Sequence, residues 1–297
     1  MVKRSAPRFS IVIPCFNEER YIEPTLQSLK DQLFKGSFEI IVVDNNCTDD
    51  TVAIARKYGA KIVTENHRGV CWARQAGTEA ASGEIVISTD ADTLLSREWL
   101  QNIDQSFKKD KNCVAVAGPC TYIDGPWWGQ KYSKLLFAFV SMAYPLFGAP
   151  FYVTATNIAF KKSAWNGYHT SMTQGGDELA LLHDLKHKGK VVFDNNNPVF
   201  TSGRRLNEGL FHSLFVSLLV YYLLAYHLNR LFKRTIIGMA PAYRAPVVVR
   251  RSRKVWAYST SLLIILAAFI HLPGRDTLVK QSYESLSQVI RVAKHVL

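Results

Sequence analysis

The strongest constraint on this chain is the alternation of buried-strand and helical patterns through its first hundred residues, joined by short links. Phe9 to Cys15 is an apolar, β-branched run stopped at Pro14. Glu18 to Leu33 then carries Tyr21, Ile22, Leu26, Leu29 and Leu33 at helical spacing. Phe38 to Val43 is a second strand ending at Asp44, Asp49-Asp50 opens a helix closed by Gly59, and Lys61 to Thr64 is a third strand. Val70 to Ala81 reads as a helix stopped at Ser82-Gly83, Glu84 to Thr89 as a fourth strand, and Ser96 to about Lys108 as another helix. Strict β/α alternation with short links implies an α/β fold: a mainly parallel sheet with helices on both faces.

Such sheets host many chemistries, so function has to be read from the loops at the strand ends. No Gly-x-Gly-x-x-Gly follows the first strand and no Gly-x-x-x-x-Gly-Lys-Ser/Thr loop occurs, which argues against a dinucleotide dehydrogenase and a P-loop enzyme. The strand ends are acidic and polar instead: Asn17 and Glu18, then Asp44-Asn45-Asn46, then Asp90 and Asp92. In an extended segment Asp90 and Asp92 would point the same way, at the carboxyl edge where open α/β sheets place ligands. Hard divalent cations choose oxygen donors of this kind and borrow phosphate oxygens from a substrate. Taken alone, Asp-x-Asp after a strand also suits a turn or a helix cap. His183 and His187 lie four apart on one predicted helix, a metal-capable spacing with no third ligand beside them. An exposed helical face explains them better.

The formal charge is +12, which suits an acidic partner such as nucleic acid, an anionic membrane surface or a phosphorylated small molecule. Five scattered cysteines without Cys-x-x-Cys argue for reduced thiols and against a disulfide framework or zinc site.

Three segments in register carry a family resemblance. Ile11-Val12-Ile13-Pro14-Cys15-Phe16-Asn17-Glu18-Glu19, Ile41-Val42-Val43-Asp44-Asn45-Asn46-Cys47-Thr48-Asp49-Asp50-Thr51 and Asp90-Ala91-Asp92 resemble the family 2 glycosyltransferases of GT-A fold. The likeness extends through Thr156-Asn157-Ile158-Ala159-Phe160 and Gly175-Gly176-Asp177-Glu178. It implies transfer of a sugar from a UDP- or GDP-sugar donor, assisted by Mg²⁺ or Mn²⁺, by a catalytic domain over 8–205. Position by position it implies that Pro14, Asn17 and Glu18 line the nucleotide pocket, with Ala91 in the same set, and that Asp44 bonds the base. Arg74 would face the nucleotide, Asp90 the ribose or metal shell, and Asp92 the metal itself, bridging it to the donor diphosphate. Asp177 would be the catalytic base, with Glu178 as the alternative, and Arg204, with Arg205 beside it, a cationic clamp on the diphosphate. One departure is Asp50, where the commoner family form has glycine. The Gln-x-x-Arg-Trp motif of the family's processive members is absent, which favours addition of a single sugar.

The region 206–297 is organised differently. Residues 209–229 and 255–274 contain no Asp, Glu, Lys or Arg, and each is long enough to cross a hydrocarbon core. The stretch between them is strongly basic. Two true spans would put it outside, against the positive-inside tendency, whereas two interfacial helices or a re-entrant pair would keep it against anionic lipid, and the sequence leaves these alternatives open. The expectation is a helical region held at the cytoplasmic face of the cell membrane against anionic lipid. A lipid or lipid-linked glycan is the expected acceptor, because the uncharged stretch Leu135 to Phe160 lies beside the acceptor cleft in the resembled family. No nucleic-acid partner is expected.

Overall fold

The structure, a computed structural model, describes residues 6–170, 177–232 and 236–237. The chain divides into two units, Met1–Ala242 and Tyr243–Leu297, and the second lies outside the described residues, as does the expected apolar segment 255–274. The first unit contains β1 (Phe9–Cys15), α1 (Ile22–Lys30), β2 (Phe38–Asp44), α2 (Thr51–Lys57), β3 (Lys61–Thr64), α3 (Val70–Glu79), β4 (Ile85–Ser88), β5 (Thr93–Leu94) and α4 (Trp99–Lys109). It continues with β6 (Cys113–Ala117), β7 (Cys120–Tyr122), α5 (Gly129–Phe147), β8 (Ile158–Lys161), α6 (Asp177–Lys186), β9 (Lys190–Phe193) and β10 (Val199–Thr201). A π-helical segment, His212–Leu224, then leads into α7 (Ala225–Phe232). Among the described residues no helix is long and apolar enough to cross a membrane.

The main sheet runs β3-β2-β1-β4-β8-β6-β9. Its pairings are parallel except that β8 runs antiparallel to both β4 and β6. β1 and β4 are buried along their lengths, as their continuous apolar runs require when helices cover both faces. α3 packs closely on β1 and β2 through Gly77, where a Cβ would come within 2.8 Å of Val43 Cγ2. A second sheet, β5-β10-β7, sits at the carboxyl edge of the first. It was not expected, because a two-residue strand such as β5 carries no periodicity.

The strand order reverses between β1 and β4, since the chain moves outward to β2 and β3 before returning to β4. Open α/β sheets bind ligands at such a switch point. Pro14 marks it. The Val12 carbonyl accepts the Thr89 N–H at 3.2 Å, so Pro14, two residues on, also turns its nitrogen toward the β4 side. The β1–β4 ladder has ended by then, at Val12–Ser88, and the missing N–H costs nothing.

Candidate active site

Asp90-Ala91-Asp92 is not extended. β4 stops at Ser88, and Ala91-Asp92 form a turn into β5. The expected convergence of two carboxylates along one strand face is therefore corrected: the two side chains serve different partners. The turn is held from below by Thr25 of α1. Its Oγ1 donates to the Ala91 carbonyl at 2.7 Å and accepts the Thr93 N–H at 3.1 Å, all buried. Thr25→Val keeps the shape and strands both backbone groups. We expect a loss of about 3 kcal/mol in urea denaturation, since a buried unpaired polar group costs roughly 1–3 kcal/mol.

Asp92 is 10% exposed. Its Oδ1 accepts the Thr201 hydroxyl at 3.2 Å, and its Oδ2 lies 3.1 Å from Arg204 Nη2. Burial first, then the negative charge of Asp90, pushes the Asp92 carboxyl up to about 6, with Arg204 pulling the other way. Arg204 also makes a two-pronged bond to Glu18, Nη1 to Oε2 at 3.1 Å and Nη2 to Oε1 at 3.0 Å. Its guanidinium rests over the Tyr21 ring, 4.7 Å from the centroid. Burial opposes the charge of Arg204, but the hydrogen bonds to Glu18 and the charges of Asp92 and Glu18 hold its pKa above the ordinary value.

Arg204 is placed by Asp124, in the loop after β7. Asp124 accepts the Ser202 hydroxyl at 2.9–3.0 Å and the Gly203 N–H. Gly203 is required there, because a Cβ would collide with the Asp124 carbonyl. Neither Asp124 nor Thr201 was expected at the site, and neither carries a sequence signal. Thr25 does carry one: it is a polar residue on the buried face shared by Ile22, Leu26 and Leu29.

A second guanidinium lies behind the turn. Arg74 of α3 is buried, with Nη2 donating to Asp90 Oδ1 at 3.2 Å and Nη1 lying 3.6 Å from Glu178 Oε1. Arg74 thus ties Asp90 to the first turn of α6. Asp177 opens that helix, and its side chain lies outside the described part.

The loops after β1, β2 and β3 are held together by side chains that bond to backbone. The Asp44 Oδ1 accepts the Cys47 N–H at 2.8 Å. Asn45 donates to the Glu65 and His67 carbonyls and accepts the Gly69 N–H, which fixes the loop after β3 against the loop after β2. Asn17 has a left-handed backbone, φ 57°, and its Oδ1 accepts the Thr48 N–H at 2.8 Å. Asn17 is therefore a stitch between two loops. His183 lies on α6, but His187, expected on the same helix, lies in the turn after it; their rings pack edge to face with centroids 4.8 Å apart, and His183 pairs with Asp184 at 3.5 Å.

Among the described residues no group of three or more His, Cys, Asp or Glu side chains is placed to hold a metal on its own. That does not exclude the smaller Asp90/Asp92 pair. Mg²⁺ keeps waters and binds through one or two carboxylates plus substrate phosphates. A nearly buried, oxygen-donating Asp92 beside Asp90 fits such an ion by the chemistry of its donor set.

Acids and two arginines thus gather at the carboxyl edge of the sheet, beside the β1/β4 switch point. Residues 10–168 match the model of glycosyl transferase family 2, and the chain belongs to that family. It is 35% identical over 102 residues to the poly(ribitol-phosphate) β-N-acetylglucosaminyltransferase TarS of Staphylococcus aureus, 32% of this chain and 18% of that protein. It is 33% identical over 121 residues to an uncharacterized glycosyltransferase of Mycobacterium bovis, 40% of this chain and 52% of that one. The chain thus spans between 18% and 52% of the length of these curated relatives. In fold it is similar to the mannosyltransferase PcManGT of Pyrobaculum calidifontis, with a TM-score of 0.60 at 21% identity over 95% of this chain and 81% of that one. It is also similar to residues 1–349 of S. aureus TarS with UDP, at a TM-score of 0.53 and 19% identity over 76% and 72% of the two chains.

Proposed function

We propose that this protein transfers a single sugar from a UDP- or GDP-sugar to a lipid or lipid-linked acceptor at the cytoplasmic face of a cell membrane, in cell-envelope or glycolipid synthesis. The observation that carries the reading is the Glu18–Arg204–Asp92 cluster at the β1/β4 switch point, with Asp44 at the end of the adjoining β2. The solved structures of TarS with UDP and with UDP-GlcNAc, and of PcManGT with GDP-Man and Mn²⁺, support a nucleotide-sugar donor and a divalent cation.

The residues divide the work. Asp44 accepts an N–H of the base, and Asp90, steadied by Arg74, faces the ribose. Asp92, with Asp90 beside it, would hold Mg²⁺ or Mn²⁺. When bound, such an ion neutralises charge developing on the departing diphosphate. Arg204 supplies a further cation to that leaving group. An acceptor hydroxyl has to lose a proton as it attacks. Asp177 is the base in this reading, with Glu178, whose Oε1 lies 3.6 Å from Arg74, as the alternative.

The lipid acceptor draws support from α5. Leu135, Phe139, Met142 and Leu146 recur on one face of this helix and are 54–73% exposed. The helix has no acid, and exposed Lys131 and Lys134 stand near its start. An apolar stripe with lysines at its edge suits the boundary of an anionic bilayer. Tyr222 of the π-helical segment reaches the same region, its hydroxyl donating to the Val153 carbonyl at 2.7 Å.

The test is release of nucleoside diphosphate from a panel of UDP- and GDP-sugars, with Mn²⁺ or EDTA, with and without lipid extract. We expect turnover with one donor, dependent on the metal and stimulated by lipid. Efficient glycosylation of soluble sugars or proteins alone would sink the lipid reading. Pyrophosphate release from a nucleoside triphosphate would point to a nucleotidyltransferase, and no turnover to a scaffold that has kept the fold.

A further inference from the structure

We infer that Arg204 is an exchangeable cation at the Asp92 site: it swings from Asp92 to the donor diphosphate while Glu18 holds it. The inference rests on the proposed placement of the divalent ion at Asp92. Its ground is the unequal way the guanidinium is held. Among the described residues Nη1 bonds Glu18 alone, at 3.1 Å, whereas Nη2 is shared between Glu18 Oε1 at 3.0 Å and Asp92 Oδ2 at 3.1 Å. The Glu18 pair is bidentate and stacks on Tyr21, so it survives loss of the third contact. The Asp92 contact is a single prong. Asp92 also keeps its orientation without Arg204, because Thr201 holds the other oxygen at 3.2 Å.

The charges make the exchange directional. In the free protein Arg204 partly compensates two acids drawn close together. A divalent ion approaching Asp92 by itself meets that guanidinium and is repelled. An ion arriving with a nucleoside diphosphate brings the phosphate oxygens that Nη2 can take in place of Asp92. Arg204 therefore disfavours metal alone and favours metal together with nucleotide, a coupling carried by one side chain. Glu18 becomes a positioning residue for Arg204. Its resemblance-derived place in the nucleotide pocket is reached through that arginine.

The experiment measures Mn²⁺ affinity by electron paramagnetic resonance, with and without saturating UDP or GDP, on the full chain. For Arg204→Gln we expect Mn²⁺ alone to bind about tenfold more tightly and the tightening caused by nucleotide to shrink by about tenfold or more, within the usual range of coupling. Arg204→Lys keeps a charge but cannot span both acids, and is expected to move each quantity the same way by about threefold. It carries the test if the glutamine variant does not fold. Mn²⁺ affinities in the two variants that equal wild type, or that weaken with and without nucleotide alike, would overturn the exchange while leaving the metal site standing. Failure of wild type to bind Mn²⁺ in any condition would overturn the metal reading itself, and the exchange with it.

Discussion

Asp92→Asn is expected to abolish sugar transfer while making the ligand-free protein more stable above pH 6. The carboxyl is ordinarily near 3.8 and is pushed to about 6 in the fold, by burial first and by Asp90 second. A raised carboxyl favours folding while it keeps its proton. That contribution is complete below about pH 3.8 and is lost as pH rises through about 6. Asparagine carries no charge to desolvate, so it avoids the loss. The gain above pH 6 is at most about 3 kcal/mol, at 1.36 kcal/mol for each pH unit of difference. Urea denaturation without metal at pH 4 and pH 8 checks it: the variant matches wild type at the lower pH and exceeds it at the higher. Transfer is expected to fall by about 10³-fold or more, since Asp92 is the candidate metal ligand beside the leaving group. Equal destabilisation at both pH values would mean that the Asp92–Arg204 pair is a net structural bond.

Arg74→Met is expected to damage both the fold and the reaction. The Arg74 side chain is 5% exposed and is the shared cation of Asp90 and Glu178. Methionine fills much of the volume but leaves two acids without their cation at the carboxyl edge of the sheet. Removing one partner of a buried pair costs about 3–5 kcal/mol. Because Asp90 is 35% exposed and water relieves part of its charge, about 3 kcal/mol is the expected loss. Transfer should fall by about 10²-fold, because Asp90 and the first turn of α6 lose their common anchor. Arg74→Lys separates the two effects. It restores charge without the planar fork, so stability should recover more than kcat does. Equal recovery of both would assign Arg74 to folding alone.

The readable part of this protein is local. The periodicity of Phe9 to Cys15, Phe38 to Asp44 and Glu84 to Thr89 found β1, β2 and β4, because a strand buried on both faces must be almost wholly apolar. Element ends were less legible. The helix expected from Glu18 begins at Ile22, because the Glu18 carbonyl accepts the Tyr21 and Ile22 N–H groups in a tight turn ahead of it. Leu33, placed on the same helix by its spacing, lies beyond Lys30 and is exposed. Two-residue β5 was invisible, since its pairing is decided by β10, more than a hundred residues later.

The same division runs through the site. By itself the sequence determined that acids would gather at the carboxyl edge of a parallel sheet, because alternation fixes where each strand ends and Asp44 and Asp90 follow those ends. Tertiary structure alone decided what each acid does. Asp92 meets Thr201, 109 positions away, and Arg204 meets Glu18, 186 positions away. Those bonds form because β10 pairs with β5, which brings Thr201 and the Arg204 that follows it beside Asp92. Side-chain spacing encodes the direction of a strand, but not which distant charge will stand at its end.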